Sequence, residues 1–459
     1  MGIKNAVQKT IAYYKRNGLR AAFFAALERL HDNRNENYTF VPVSDAALKE
    51  QKKEYRLLAE AGNTVRFGIV VPLFNTPEKY LREMIESVSA QSYGNWELVL
   101  ADASPSPLAA AEEYTKTDPR IKYFYLGKND GISENTNRGI EKATGDYIGL
   151  LDHDDLLTSD ALYEMSRVIR RSMKKNRLSR FSDCPIRLIY SDEDKFDADT
   201  GRFYEHHQKP SFNMDYLLSN NYICHFTMIR ADVIKRLKER GSFDGAQDYD
   251  LILRACAEAA LKTPDSGAQI VHIDRVLYHW RCHSQSTAAN PGSKTYAYEA
   301  GQRVLEAFLS ENGISGRVEQ LPHVGFYRVE YEPDVFSARP DIGCVGGKLL
   351  NRRNRLAGGM YTKEGRVVFE GLFEGYSGGL QHRAVLTQDA FAVDLRCVLL
   401  RKELIPVFER LTEEKYREGE LLLAGKSPEE VRRLSLDFAG EVKKLGYRIL
   451  WDPGMVLRI

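Results

Sequence analysis

Three carboxylates occupy four consecutive positions, Asp152-His153-Asp154-Asp155, directly after the apolar segment 146–151. Like charges this close repel one another, so the arrangement is costly unless a cation or a solvated turn relieves it. Carboxylate oxygens at an open strand end suit Mg²⁺ or Mn²⁺ shared with a phosphate group. The alternative is a solvated acidic turn that caps the next helix, and the motif alone does not decide between the two.

The segments around this motif alternate between two kinds of periodicity. Strands are predicted at 67–72, 96–102, 121–126 and 146–151, and helices at 77–91, 107–117, 132–143 and 159–170. Strands that alternate with helices of this length imply right-handed βαβ units and an α/β fold, with a parallel sheet covered on both faces. Ligands of such sheets bind beyond the carboxyl ends of the strands, which is where the acidic motif lies.

Further polar motifs follow in a definite order and spacing. They are Pro72-Leu-Phe-Asn75, Ala101-Asp102, Asn137-Arg-Gly-Ile140, Tyr190-Ser-Asp-Glu-Asp-Lys195, Gln247-Asp-Tyr-Asp-Leu251 and Tyr278-His-Trp-Arg-Cys-His283. Over roughly residues 65–300, this set closely resembles the nucleotide-sugar half of family 2 glycosyltransferases of the GT-A fold. The pattern is most similar to bacterial enzymes that build O-antigen, cell-wall or capsular polysaccharide. The resemblance implies a mostly parallel sheet flanked by helices.

The resemblance also implies a donor site for a UDP-, dTDP- or GDP-sugar. Asp102 matches the acid that reads the nucleotide base, and Phe74 and Asn75 match positions that line the base pocket. Pro72 and Asn137 fall on the same donor side.

The metal motif of the family matches Asp152 and Asp154, with Asp154 favoured as the direct ligand of Mn²⁺ or Mg²⁺. A histidine completes the metal site in some members, and His279 or His283 could match it. We favour His279 because it directly follows an apolar stretch.

Asp248 matches the catalytic base, which in the family follows an acidic or amide residue, here Gln247. The remaining candidates for the donor-sugar or acceptor region are Glu193, Asp194, Gln247, Arg281 and His283. A divalent cation would stabilise the leaving nucleoside diphosphate, and a carboxylate must take the proton of the acceptor hydroxyl. One base opposite one leaving group gives a single in-line displacement with inversion at the sugar carbon.

The overall composition narrows the class of protein. Lys and Arg number 65 and Asp and Glu number 64, which argues against a dedicated nucleic-acid binder. No secretory signal is visible, and six scattered cysteines without a CxxC pair fit a reducing cytoplasm. Two other functions stay open: a non-catalytic glycosyltransferase-like scaffold that partners an active enzyme, and a Mg²⁺-dependent nucleotidyltransferase.

The first 64 residues are predicted to form a helical segment ahead of the catalytic domain at 65–315. Ile3, Val7, Ile11 and Tyr14 fall on one helical face, and residues 1–30 hold six basic residues and one acidic residue. A basic amphipathic helix can lie on an anionic membrane surface, so a peripheral position at the inner face of the cell membrane is one expectation. A helix packed on the next domain is the other.

Residues 320–459 resemble a truncated second GT-A module. Met228-Ile-Arg230 is echoed by Leu399-Leu-Arg401, and Val276-Leu277 is echoed by Val456-Leu457. The nucleotide strands and the acidic motif of a first half are missing, so this segment is predicted to be a non-catalytic α/β half-module in which Asp437 parallels Asp248. The acceptor expected for the whole chain is a glycan or a lipid-linked glycan.

Overall fold

The computed structural model describes residues 3–35, 38–260, 269–282, 295–379 and 381–459. Its α-helices are α1 (Ile3–Asn35), α2 (Asp45–Glu60), α3 (Glu78–Ser89), α4 (Ala109–Thr117), α5 (Ile132–Lys142), α6 (Ala161–Lys175), α7 (Met214–Leu217), α8 (Ala231–Leu237), α9 (Gln247–Ala260), α10 (Thr295–Glu311), α11 (Val335–Ala338), α12 (Ile405–Thr412) and α13 (Pro428–Lys444). Its strands are β1 (Phe67–Leu73), β2 (Trp96–Asp102), β3 (Ile121–Tyr125), β4 (Tyr147–Leu150), β5 (Leu156–Leu157), β6 (Leu188–Asp197), β7 (Phe203–His207), β8 (Thr227–Arg230), β9 (Ile270–Cys282), β10 (Gly316–Gln320), β11 (Tyr327–Tyr331), β12 (Ile342–Leu350), β13 (Leu356–Gly358), β14 (Met360–Tyr361), β15 (Gln388–Asp389), β16 (Ala392–Val393), β17 (Val398–Leu400) and β18 (Arg448–Arg458).

The chain forms two compact units. The large unit comprises Tyr38–Phe212 and Asn221–Val304, and the small unit comprises Met1–Asn37, Asn213–Asn220 and Leu305–Ile459. Helix α1 therefore groups with the small unit and α2 with the large one, and the three-domain division drawn from the sequence stays a prediction. Among the described helices, none combines the length and the apolar character needed to cross a membrane.

The large unit is built on a nine-stranded sheet in the order β3-β2-β1-β4-β8-β6-β9-β5, with β7 paired to β6. The strands β3, β2, β1 and β4 are parallel, as the alternation of strands and helices predicts. Beyond β4 the sheet is mixed, because β8 is antiparallel to both β4 and β6, whereas β6 and β9 are parallel. Strand β7 follows β6 after a short turn, which permits only antiparallel pairing.

Strand β2 is buried along its whole length, and β1 is buried at every residue except Pro72. Helix α5 approaches the sheet closely at Gly139, where an added Cβ would lie 2.5 Å from Cγ1 of Val70. A glycine is therefore required at this position for the helix to reach the sheet. The α/β fold class predicted from the sequence is confirmed.

The small unit contains a five-stranded sheet, β13-β12-β18-β15 with β17 on β12. Strand β12 is parallel to β18 and antiparallel to β17, which is how β6 pairs with β9 and β8 in the large unit. A helix, α9 or α13, precedes the last strand in both cases. This agreement in pairing supports the repeat proposed from the sequence, although Asp248 lies in the first turn of α9 and Asp437 lies in the middle of α13.

Candidate functional site

The carboxylates of the acidic motif have different surroundings. Asp155 is fully buried, and it accepts a hydrogen bond from the backbone N–H of Arg281 at 2.7 Å and another from the hydroxyl of Tyr278. The side chain of Asp152 is 60% exposed and Asp154 is partly exposed. Burial raises the pKa of the Asp155 carboxyl well above its ordinary value. Asp155 therefore anchors the turn to β9. The anchored turn presents Asp152 and Asp154 at the end of β4.

Arg281 supports this turn from the protein interior. Its side chain is 1% exposed, and its Nε donates to the backbone carbonyl oxygen of Asp154. It also pairs with Glu83 at 2.7 Å and packs between the rings of Tyr80 and Phe196. In this structure the residue fixes the backbone of the acidic motif, while its predicted role toward the acceptor stays untested.

His225 lies beside the acidic motif, and the sequence did not point to it. Its Nε2 is 3.9 Å from Oδ2 of Asp152, its Nδ1 is 3.2 Å from Oε2 of Glu193, and its ring stacks on Tyr278. The antiparallel pairing of β4 with β8 explains the placement, because residues that precede β8 lie opposite residues that follow β4. A search restricted to residues after strands, as in a parallel sheet, misses this position.

Asp248, in the first turn of α9, is connected to the same cluster. Its Oδ2 accepts a hydrogen bond from Nδ2 of Asn221 at 2.7 Å and one from the Cys224 thiol at 3.4 Å. Burial raises the pKa of this thiol to about 12, so the thiol keeps its proton and can donate. The Cys224 sulfur also lies 3.3 Å from Nε2 of His225. The adjacent residues Cys224 and His225 thus link the predicted base, Asp248, to Asp152.

The amide side chain of Gln247 points back along the chain, where its Oε1 accepts from the N–H of Gly245 at 2.8 Å. This bond fixes the turn that leads into α9. The predicted role of Gln247 near the donor sugar or acceptor is not tested by this contact.

Glu193 sits in a cluster of positive groups next to His225. It accepts from Nδ1 of His207 at 3.0 Å, and Nζ of the fully buried Lys209 lies 3.4 Å away. Burial opposes ionisation of Glu193, but Lys209, His207 and His225 outweigh it and hold its pKa well below the ordinary value. Burial likewise opposes the charge on His225, while Cys224 and Glu193 favour it and raise its pKa. The cluster therefore places the positive charge of His225 next to Asp152.

His279 and Asp194 form a separate buried pair. Nδ1 of His279 is 2.5 Å from Oδ1 of Asp194, and the hydroxyl of Tyr38 donates to Oδ2 of Asp194 at 2.7 Å. The imidazole packs against Phe40 and Phe203. The described contacts of His279 thus lie outside the acidic motif, whereas His225 lies beside it. His283 lies outside the described residues.

Asp102 closes the end of β2 and is fully buried. Its Oδ1 accepts from the N–H of Ser104 at 2.9 Å, and its Oδ2 accepts from the hydroxyl of Tyr123 at 2.6 Å. The hydroxyl oxygen of Ser104 in turn accepts from the N–H of Asn75, which has a left-handed backbone. The carboxylate thereby fixes the loop that follows β1.

That loop follows Pro72, which lies within β1, and carries Phe74 with 46% of its surface exposed. An exposed ring next to a fixed loop can stack on a planar base. This geometry is compatible with the base pocket predicted at Phe74 and Asn75.

Asn137 is committed to the protein backbone. Its amide donates to the carbonyl oxygen of Glu239 and accepts from the N–H of the same residue, both at 2.9 Å. Burial, reinforced by the charge of Asp248, raises the pKa of the Glu239 carboxyl well above its ordinary value. Asn137 therefore positions the segment that leads to α9, and a direct contact with the donor stays a prediction.

The carboxylates at the end of β4 fit a hard divalent cation whose remaining ligands are substrate phosphates and water. Within the described residues, no group of three or more His, Cys, Asp and Glu side chains could hold a metal ion by itself. Mg²⁺ is commonly bound by one or two carboxylates together with substrate phosphates and water, rather than by a cage of protein ligands. The exposed Asp152 and the partly exposed Asp154 meet that requirement.

One protein-family model matches part of the chain. Residues 68–238 match the family model described as glycosyl transferase family 2. The matched region contains the acidic motif, Asp102 and the β4–β8 pairing. This match to the description of glycosyl transferase family 2 confirms the resemblance inferred from the motifs.

Two relatives show the extent of the similarity. The chain is 40% identical over 258 residues to an uncharacterized protein, y4gI, of Sinorhizobium fredii, covering 55% of this chain and 26% of that protein. It is 32% identical over 291 residues to the O-antigen biosynthesis protein RfbC of Myxococcus xanthus, covering 60% of this chain and 21% of that protein. The chain thus spans about a quarter of the length of these relatives.

Among solved structures, the S. aureus TarS fragment 1–349 is similar at a TM-score of 0.39 and 18% sequence identity. The match covers 53% of this chain and 65% of that chain.

Proposed function

We propose that this protein transfers a sugar from a nucleotide-sugar donor to a hydroxyl of a growing bacterial surface glycan, with inversion at the sugar carbon. The observation that carries the proposal is the link between the acidic motif and α9. Asp152 lies beside His225, and Cys224 contacts both His225 and Asp248. The predicted metal-binding acid and the predicted base, almost one hundred positions apart, are therefore joined by three successive contacts.

The end of β4 forms the proposed diphosphate site. Asp154 and Asp152 would hold Mn²⁺ or Mg²⁺, which when bound stabilises the negative charge that develops on the leaving diphosphate. The imidazole of His225 supplies positive charge beside Asp152, and the buried Lys209 compensates the neighbouring Glu193. That charge reduces the repulsion among the acids and favours an anionic donor.

Asp248 is the proposed general base. Asn221 and Cys224 hold its Oδ2, so the carboxylate is oriented before the acceptor arrives. Its Oδ1 would take the proton of the acceptor hydroxyl while that oxygen attacks the anomeric carbon of the donor and the bond to the diphosphate breaks. A single displacement of this kind inverts the configuration and needs no covalent intermediate.

The substrate class rests on the motifs and on the relatives. RfbC is named as an O-antigen biosynthesis protein, which supports a surface polysaccharide or its lipid-linked precursor as the acceptor. The donor is proposed to be a UDP-, dTDP- or GDP-sugar that reaches the enzyme in the cytoplasm, where a peripheral contact with the inner membrane face would bring it to a lipid-linked acceptor.

A donor panel tests the proposal. The intact chain is mixed with UDP-, dTDP- and GDP-sugars in Mn²⁺, in Mg²⁺ and in EDTA, and thermal stability and donor hydrolysis are measured. We expect one nucleotide class to raise the melting temperature and to be slowly hydrolysed, only with metal. Binding of no nucleotide-sugar would favour the scaffold function. Formation of a nucleotide-sugar from a nucleoside triphosphate and a sugar phosphate would favour the nucleotidyltransferase.

A further inference from the structure

Helix α1 is fixed to the small unit through one face. The helix is kinked at Gly18, and the carboxylate of the buried Glu28 accepts hydrogen bonds from the N–H groups of Ser377, Gly378 and Gly379 at 2.7–2.9 Å. The ring of Phe24 packs on Phe373, on the same side of the helix. These contacts determine which face of α1 points outward.

The opposite face after the kink is apolar. Leu19, Phe23, Leu27 and Leu30 are 73%, 56%, 37% and 60% exposed. Their spacing of four, four and three residues places them on one stripe of the helix. This stripe differs from the face predicted at Ile3, Val7, Ile11 and Tyr14. Four large apolar side chains aligned on an exposed helix face mark an interaction surface rather than scattered surface residues.

Among the charged residues of α1 whose side chains are described, the exposed ones are basic. Lys15, Arg20 and Arg29 are exposed, and the acidic residue of the segment, Glu28, is turned inward. A second copy of the chain placed on this face would bring like charges together, because a two-fold interface pairs each patch with itself. An anionic surface would complement both the apolar stripe and its basic edges.

We propose that the segment 19–30 of α1 binds an anionic phospholipid surface, with Leu19, Phe23, Leu27 and Leu30 in the acyl boundary and the basic residues among the headgroups. A helix with an apolar stripe and a basic flank binds in this way, and its affinity grows with buried apolar area and with lipid charge. The inference does not depend on the proposed function, although it would bring the active site to lipid-linked acceptors.

Vesicle co-sedimentation of the full chain tests the proposal. The probes are phosphatidylcholine vesicles with and without phosphatidylglycerol, at low and high salt. We expect the chain to sediment with the anionic vesicles, less at high salt, and at least about tenfold more weakly after Arg20→Glu with Arg29→Glu, since each basic residue near the surface adds about 1 kcal/mol. Phe23→Asp with Leu27→Asp should abolish binding.

The matched controls are Arg352→Glu with Arg353→Glu, and Leu57→Asp with Leu445→Asp, which change equally exposed residues elsewhere and should leave sedimentation unchanged. Circular dichroism and the melting temperature verify that each variant is folded. Absence of sedimentation by the folded wild type, or equal loss in the controls, would overturn the proposal. The proposal would also be overturned if the wild type formed a dimer that Phe23→Asp dissociates and did not sediment with vesicles.

Discussion

The main sheets of the two units share a pattern of strand pairing but carry different side chains at equivalent positions. In the large unit, Ile189 of β6 lies opposite Met228 of β8, and Asp192 lies opposite Val276 of β9. In the small unit, Val345 of β12 lies opposite Leu399 of β17, and Lys348 lies opposite Val456 of β18. Both registers therefore place Lys348-Leu-Leu350 where the large unit has Asp192-Glu-Asp194.

The two units also differ in the side chains that accompany their carboxylates. In the small unit, the buried Asp215 lies 2.8 Å from Arg339 and 2.7 Å from Arg448, so two guanidiniums neutralise it. In the large unit, Asp248 is held by a neutral amide and a thiol, and Asp152 lies beside an imidazole. Carboxylates matched by arginines hold a fold together, whereas carboxylates left without such partners can serve a substrate.

The largest expected effect is loss of the metal-bound donor. Asp154→Ala should abolish metal-dependent nucleotide-sugar binding and transfer, because it removes the favoured ligand at the end of β4. The fold should persist, because Asp155, Tyr278 and Arg281 still anchor the turn. Calorimetry with the donor in Mn²⁺ measures the effect. Transfer at the wild-type rate in Mn²⁺ would contradict the assignment of Asp154.

The second largest effect is expected at the proposed base, Asp248, and Asp437 of the small unit provides the matched control variant. Asp248→Asn should lower turnover by about 10²–10⁴ while donor affinity is kept, because the amide retains the hydrogen bonds but cannot take a proton. Asp437→Asn in α13 should leave transfer unchanged, since Asp437 is 52% exposed and pairs only loosely with Arg433 at 3.6 Å. Initial rates at saturating donor compare the two. Weaker donor binding with unchanged turnover in Asp248→Asn would move this residue to the donor site.

Removal of one arginine from the small unit should act on stability instead. Arg339→Met leaves the buried Asp215 with less compensating charge and should lower the free energy of unfolding by about 3–5 kcal/mol. Urea unfolding monitored by circular dichroism measures the change. The donor affinity of the folded variant serves as the control, and it should match that of the wild type. An equally stable variant would show that the ion pairs do not hold the small unit together.

A smaller effect is expected from pH. Burial opposes ionisation of Asp215, but Arg339 and Arg448 outweigh it and lower its pKa to about 2. With an unfolded-state pKa of about 3.9, this carboxylate contributes stability that is fully present above about pH 4 and is lost as the pH falls toward 2.

The difference in urea midpoint between the wild type and Arg339→Met should therefore narrow below about pH 4. Asp389, whose pKa burial raises to about 6, titrates above that window. A difference that stays constant between neutral pH and pH 3 would argue against Asp215 as its source.

Sequence alone predicted the first half of the large unit well. The predicted strands at 96–102 and 121–126 agree with β2 and β3 to within one residue, because continuous apolar runs between turns determine parallel strands locally. The acidic motif was also found at a strand end, as the topology of parallel sheets requires.

The second half could not be predicted in the same way, because its pairing is not local. Nothing near His225 in the sequence shows that β8 runs antiparallel to β4, and only that pairing brings His225 to Asp152. The hydrogen-bond partners of polar side chains could likewise not be predicted from the sequence. Asn137 matched a donor-site position by pattern, yet its amide is occupied by the backbone of Glu239, 102 positions along the chain.

The anchoring of α1 by Glu28 has a consequence for synthesis on the ribosome. Ser377, which binds the Glu28 carboxylate, is translated 349 residues later. At about 5–20 residues per second, α1 waits for roughly 20–70 s before its binding site exists. Throughout that interval both Phe24, which later packs on Phe373, and the outward stripe are uncovered, so the nascent chain exposes a basic, apolar helix long before the small unit can fold.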